Sequence, residues 1–115
     1  MDIVAVTIDC SRITDEASFH AAFAEAFGFP SWYGNNMDAW IDCMSSLDDP
    51  DAGMTSISVP PDGASLVKLD KAGGMKARAT RQFDDVVECA ALVNWRRVQM
   101  GARPLLFLAF DDKDI

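Results

Sequence analysis

The chain has 115 residues, half of them hydrophobic, a net charge of −8 at neutral pH and three cysteines. That length is one domain's worth, residues 1–115, and that apolar fraction can build a core without disulfides or a metal. The acidic balance argues against nucleic acid or an anionic membrane surface as the main partner, because phosphate binding is driven by Lys and Arg; it suits a basic partner.

Residues 3–8, Ile-Val-Ala-Val-Thr-Ile, are short, apolar and β-branched, which predicts a strand. Thr14 is the expected N-cap of a first helix, with Asp15 and Glu16 in its first turn where they complement the helix dipole. Phe19, Ala22, Phe23, Ala26 and Phe27 follow at amphipathic-helix spacing, and Gly28 stops the run. His20 lies beside that stripe and is expected on the surface or at a cap. After the loop Pro30-Ser31-Trp32-Tyr33-Gly34, a second helix is expected to start near Asn35 or Asn36. Its apolar stripe is Met37, Trp40, Ile41, Met44 and Leu47. At about 100° per residue, Asn35, Asp38, Asp42 and Ser45 share a separate polar face.

Residues 48–63 are rich in turn formers, with a possible extended piece at 54–59. Residues 66–69 predict a second strand, and 72–79 either a mobile connection or a short helix. A long helix is expected over 81–100, capped by Thr80, with Phe83, Val86, Val87, Ala90 and Ala91 inward; Asn94 and Arg97 drift onto that face, and Trp95 sits to one side. Gly101 and Pro104 end it. Residues 105–110, Leu-Leu-Phe-Leu-Ala-Phe, form a continuous apolar run suited to a central strand buried on both faces. The order β-α-α-β-α-β implies an α/β fold, a small three-stranded, mainly parallel sheet packed with helices.

Cys10, Cys43 and Cys89 are far apart and form no CxxC pair, so neither a disulfide framework nor a zinc site is expected, and each reads as a small core residue. Asp2 follows Met1 without a basic, apolar leader, and no apolar run approaches the ~18 residues of a membrane span. A reduced, cytoplasmic setting is therefore expected. No phosphate-loop, dinucleotide, zinc-protease or calcium-loop motif occurs, and a single histidine is a poor basis for a catalytic triad. Asp38 and Asp42, about 5–6 Å apart at Cβ, have a spacing compatible with paired-carboxylate hydrolysis. A convex helical face, however, lacks the pocket that separates two carboxyl pKa values.

The informative stretch is Pro30 to Met44: two aromatic rings in a loop, then a helix with aligned carboxylates. Aromatic anchors beside fixed charges are the ingredients of an interface hot spot. Aligned carboxylates can stand where RNA phosphates lie in a nuclease cleft and pair with its Arg, Lys or His. Equally, Trp32 and Tyr33 could staple the loop to the core, and Asp38 suits a helix N-terminus for dipole reasons alone.

The segment 19–47 resembles the barstar family, through Pro30, Trp32-Tyr33-Gly34, Asn36, Met37-Asp38-Ala39 and Asp42-Cys43 in order and spacing. A weaker similarity runs through 66–69, the long helix and 105–110, so that nearly the whole chain is covered, with 48–63 as an insertion. The resemblance implies a single barstar-like domain acting without turnover or cofactor as a stoichiometric inhibitor. Its partner would be a basic, barnase-like extracellular ribonuclease or a related toxin; a barstar-fold domain binding some other basic protein is the alternative. It implies a binding surface of Trp32, Tyr33, Asn36, Met37, Asp38, Ala39 and Asp42, which Ser45 joins as the last member of the polar stripe. Asp42 would be the central carboxylate, Asp38 the second anchor, and Trp32 and Tyr33 would pack against the cleft rim. Two features depart from the family pattern. Arg96 and Met100 stand where acidic residues are expected late in the last helix, and Leu47 replaces an aromatic residue.

Overall fold

The computed structural model describes residues 1–112. Three strands, β1 (Ile3–Asp9), β2 (Ala64–Asp70) and β3 (Leu106–Asp111), form one parallel sheet in the order β1-β2-β3. Ile3 pairs with Ala64 at one end and Asp9 with Asp70 at the other, and Ser65 to Asp70 pair with Leu106 to Asp111. The α/β fold expected from the element order is thus present, and its sheet is wholly parallel. The central strand is β2. The expectation of a central strand at 105–110 is corrected: β3 is an edge strand, with Phe107 41% and Phe110 54% exposed. Right-handed connections between strands laid down in chain order all wind the same way. The last strand therefore lands at an edge, and the helices collect on one face. Burial follows this: Val6, Ile8, Ser65, Val67, Leu69 and Leu106 are buried, whereas Ile3, Ala5, Thr7 and Phe107 of the opposite face are exposed.

The helices are α1 (Glu16–Phe27), α2 (Met37–Ser45), α3 (Ala72–Arg78) and α4 (Thr80–Gln99), with short 3-10 turns at Cys10–Arg12 and Pro50–Ala52. The N-cap of α1 is Asp15 rather than Thr14. Its carboxylate accepts from the Ser18 N–H at 2.8 Å, and the Ser18 hydroxyl closes the reciprocal half of a capping box on the Asp15 N–H. Phe19, Phe23 and Phe27 are fully buried in a row, and Phe23 meets Trp40 of α2 edge-on at 5.6 Å. Burying each such ring is worth about 1.5–3 kcal/mol, so this aromatic cluster is a main support of α1, which packs on β1, and of α2, which packs on α4.

The connection 72–79 holds a short helix, α3. It is pinned by the Arg78 guanidinium, which donates to the carbonyl of Ile13 at 2.8 Å and to that of Cys10. Thr80 does not cap α4; it is the first helical residue, and its hydroxyl donates to the Lys76 carbonyl. The inner face of α4 is also rotated from the expected one. Val86, Ala90 and Val93 are buried, while Val87 and Ala91 face out. The reason lies in the two polar residues that share the inner face. The Asn94 side chain accepts from the N–H groups of Leu105 and Leu106 and donates to the Leu106 carbonyl at 2.7 Å. Arg97 donates to both carboxylate oxygens of Asp48, at 3.3 and 2.8 Å, and to the Arg103 carbonyl. Residues 54–59 form no strand. They are held by N–H groups of Ser56 and Ile57 donating to the Phe27 carbonyl and by that of Val59 donating to the Leu47 carbonyl.

Candidate protein-interaction face

Gly28 ends α1 in the left-handed conformation (φ +67°), a backbone state that costs glycine least. The chain then turns over itself. The Phe29 ring packs 4.6 Å from that of Tyr33, and the Tyr33 N–H donates to the Pro30 carbonyl. Tyr33 is only 8% exposed, and its hydroxyl lies 2.5 Å from Nδ1 of His20, itself 1% exposed. His20 is therefore neither a surface nor a capping residue. Burial pushes its pKa below the ordinary value, against the weaker opposing pull of Glu16 and Asp85, and burial pushes the Tyr33 hydroxyl up. Both groups stay neutral near pH 7, and each satisfies the other inside the core.

Fixing Tyr33 beneath the loop leaves Trp32 outside, 68% exposed. Asn35 takes a left-handed φ of +54°, which Asn tolerates better than most residues. Asn36 then caps α2: its side-chain oxygen accepts from the Ala39 N–H at 2.8 Å, and its amide donates to the Gly34 carbonyl. Asp38 sits in the first turn and Asp42 one turn later, both exposed, and among the described residues neither carboxylate has an ion-pair partner. Met37 and Ala39 are half-buried against the core, and the half-buried Ser45 hydroxyl donates back to the Ile41 carbonyl.

Of the eight expected residues, then, Trp32, Asp38 and Asp42 present free side chains. Asn36 and Ser45 are committed to the helix itself. Met37 and Ala39 form a low apolar floor. Tyr33, expected with Trp32 at the cleft rim or as a staple to the core, is mostly buried and supports the loop from within. Sequence reasoning also missed Asp85 and Glu88 of α4. Burial first, then the charges of Asp85, Glu88 and Asp38, raise the pKa of the half-buried Cys89 thiol on α4, the helix that packs on α2. Only the tertiary packing of α2 on α4 reveals this, since 47 residues separate Asp38 from Asp85.

The arrangement suits binding rather than covalent chemistry. Cys43 faces the core, and burial pushes its thiol up to about 11, far from a thiolate nucleophile. A hollow of about 280 Å³ lies elsewhere, between β1 and α1, lined by Thr7, Asp9, Arg12 and Glu25 among others. Among the described residues no group of three or more His, Cys, Asp or Glu is placed to hold a metal ion. No described helix is long and apolar enough to cross a membrane.

The sequence model of the family described as Barstar (barnase inhibitor) matches residues 3–108, nearly the entire chain, and the chain therefore belongs to that family. No curated protein matches it.

Proposed function

From that membership we propose that the chain is a stoichiometric protein inhibitor of a basic, barnase-like ribonuclease, which it blocks by laying the outer face of α2 and Trp32 across the catalytic cleft. The observation that carries this reading is the pair Asp38 and Asp42. Two exposed carboxylates stand one helical turn apart on a capped, rigid helix, without internal partners among the described residues. Such a pair can replace two RNA phosphates in a cleft whose Arg, Lys and His side chains are arranged to receive them. Trp32 supplies the aromatic anchor, and Met37 and Ala39 supply a flat apolar floor that excludes water around the charges. The net charge of −8 speeds encounter with a basic enzyme without adding contacts. Tyr33 and Asn36 act by holding the loop and the helix N-terminus in place.

Arg96 is exposed on α4 where family resemblance places an acid, so a partner matched to this chain would carry less positive charge opposite that end of the helix. The test is a titration of ribonuclease activity from the source cell against the purified chain. A sharp equivalence point at one-to-one stoichiometry is expected. Asp42→Ala weakens binding by about 3–5 kcal/mol, since it removes a buried charge partner from the complex. Tight inhibition that survives Asp38→Ala with Asp42→Ala would reject this face.

A further inference from the structure

Five of the large exposed apolar side chains, Val87, Trp95, Val98, Phe107 and Phe110, lie on α4 and β3. These two elements run side by side. Asn94 bonds the Leu106 backbone, and the rings of Phe83 and Phe110 are 5.7 Å apart. At about 100° per residue, Val87, Ala91, Trp95 and Val98 fall on one narrow stripe of α4. That stripe adjoins Phe83 and Asn94, the residues that touch β3, and lies on the opposite side of α4 from Cys89. The stripe and the free edge of β3 thus form one side wall of the molecule, with Phe107 on the open side of the sheet, separate from the face with Asp38 and Asp42.

Natural edge strands are usually guarded by Lys, Pro or a bulge. The run from Leu106 to Phe110 contains none of these and pairs with β2 on one side only among the described residues. Its ends are oppositely charged: Arg103 stands exposed just before the strand, and Asp112 stands exposed just after it, where one carboxylate oxygen accepts from the Gly73 N–H. A parallel neighbour with the same ends would set like charges together. An antiparallel copy sets Arg103 beside the acidic end of its neighbour, twice over. Size agrees as well. Six strand residues span about 20 Å and a 20-residue helix about 30 Å, and with two layers each about 10 Å thick the wall covers about 500 Å² per copy. Two such walls bury about 1,000 Å², the smallest area expected of a specific interface, so the dimer is a weak one that forms at high protein concentration.

We propose that two copies of this chain associate about a two-fold axis, pairing β3 antiparallel with its copy and packing the Val87, Ala91, Trp95 and Val98 stripes together. The sheet becomes continuous across the axis, and each copy keeps its α2 face free, so the dimer is bivalent.

Sedimentation velocity between about 1 and 200 µM tests this, with a concentration-dependent shift from monomer to dimer expected. Trp95→Glu with Phe107→Lys, both at exposed positions, should weaken association at least about tenfold while the thermal melt of the monomer is kept. Arg103→Glu should weaken it too, and adding Asp112→Arg should restore it. A chain that stays monomeric at the highest concentration, or a dimer untouched by Trp95→Glu with Phe107→Lys, overturns the proposal. Failure of the Arg103→Glu, Asp112→Arg pair to restore association overturns the antiparallel arrangement.

Discussion

The connections on either side of α2 meet at Gly28 and Ser56, yet they are held by different forces. The first, residues 28–36, is short and clamps itself. Tyr33 is anchored to His20, Asn36 bonds both the helix start and the Gly34 carbonyl, and Phe29 stacks under the loop. The second, residues 46–63, folds into short backbone turns at 46–49, 50–53 and 60–63, but its side chains clamp it little. It leans on the Phe27 and Leu47 carbonyls and on the Arg97 guanidinium gripping Asp48. A segment that must present one exposed indole in a fixed pose has its restraints within reach along the chain. A segment that only closes a gap takes its shape from whatever it lies against.

Substitution at the point of contact gives the largest effect on this contrast. An added Cβ at Gly28 would lie 2.4 Å from the Ser56 Cβ, at a left-handed φ. Gly28→Ala is expected to cost about 3 kcal/mol, strain and clash together, read from chemical denaturation. Adding Ser56→Gly should recover the clash and leave about 1 kcal/mol of backbone strain. A double variant no more stable than the single one would show that the two connections do not press on each other there.

Tyr33→Phe comes next, at about 2 kcal/mol, because it orphans a buried imidazole nitrogen. Acid should expose the same contact. Burial holds the His20 pKa below its ordinary 6.5, so the unfolded chain binds the proton more readily than the folded one. The stabilising contribution is complete above about pH 6.5 and is lost as the pH falls below it. His20→Gln, which keeps a polar group for Tyr33, should flatten that part of the stability–pH curve; an unchanged slope between about pH 6.5 and 5 would refute the assignment.

Asn36→Ala removes the α2 cap and should cost about 1 kcal/mol. The smallest effect belongs to the second connection. Arg97→Ala should cost about 1 kcal/mol or less, since the pair with Asp48 is partly solvated, and the loss should shrink further in high salt. A larger loss for Arg97→Ala than for Tyr33→Phe would reverse the ranking of the two connections.

The legible part of this fold was the local part. The strands β1 and β2, the phenylalanine stripe of α1, the Asn36 start of α2 and the carboxylates of its outer face all follow from spacing and capping chemistry. What stayed hidden depends on contacts across the chain. His20 finds its phenol 13 residues away, in a loop whose path periodicity does not specify. Val87 and Ala91 read as core because Asn94 and Arg97 looked out of place on the inner face, and their partners, the Leu106 backbone and Asp48, lie on other elements. Asp85 and Glu88 join the α2 carboxylates only once α4 is laid alongside. β3 read as central because a continuous apolar run signals burial on both faces, whereas here the run sits at an edge.

That run also poses a problem that Asn94 solves. With Leu, Phe, Leu, Ala and Phe in succession, both sides of β3 are apolar, so its own pattern barely distinguishes one alignment from the alignment one residue along. Asn94 grips the peptide groups of Leu105 and Leu106 rather than their side chains. It therefore indexes the strand by position, independent of sequence: a single amide acts as the zero mark from which every later residue is counted, and slippage is forbidden at the first step instead of being penalised along the whole length.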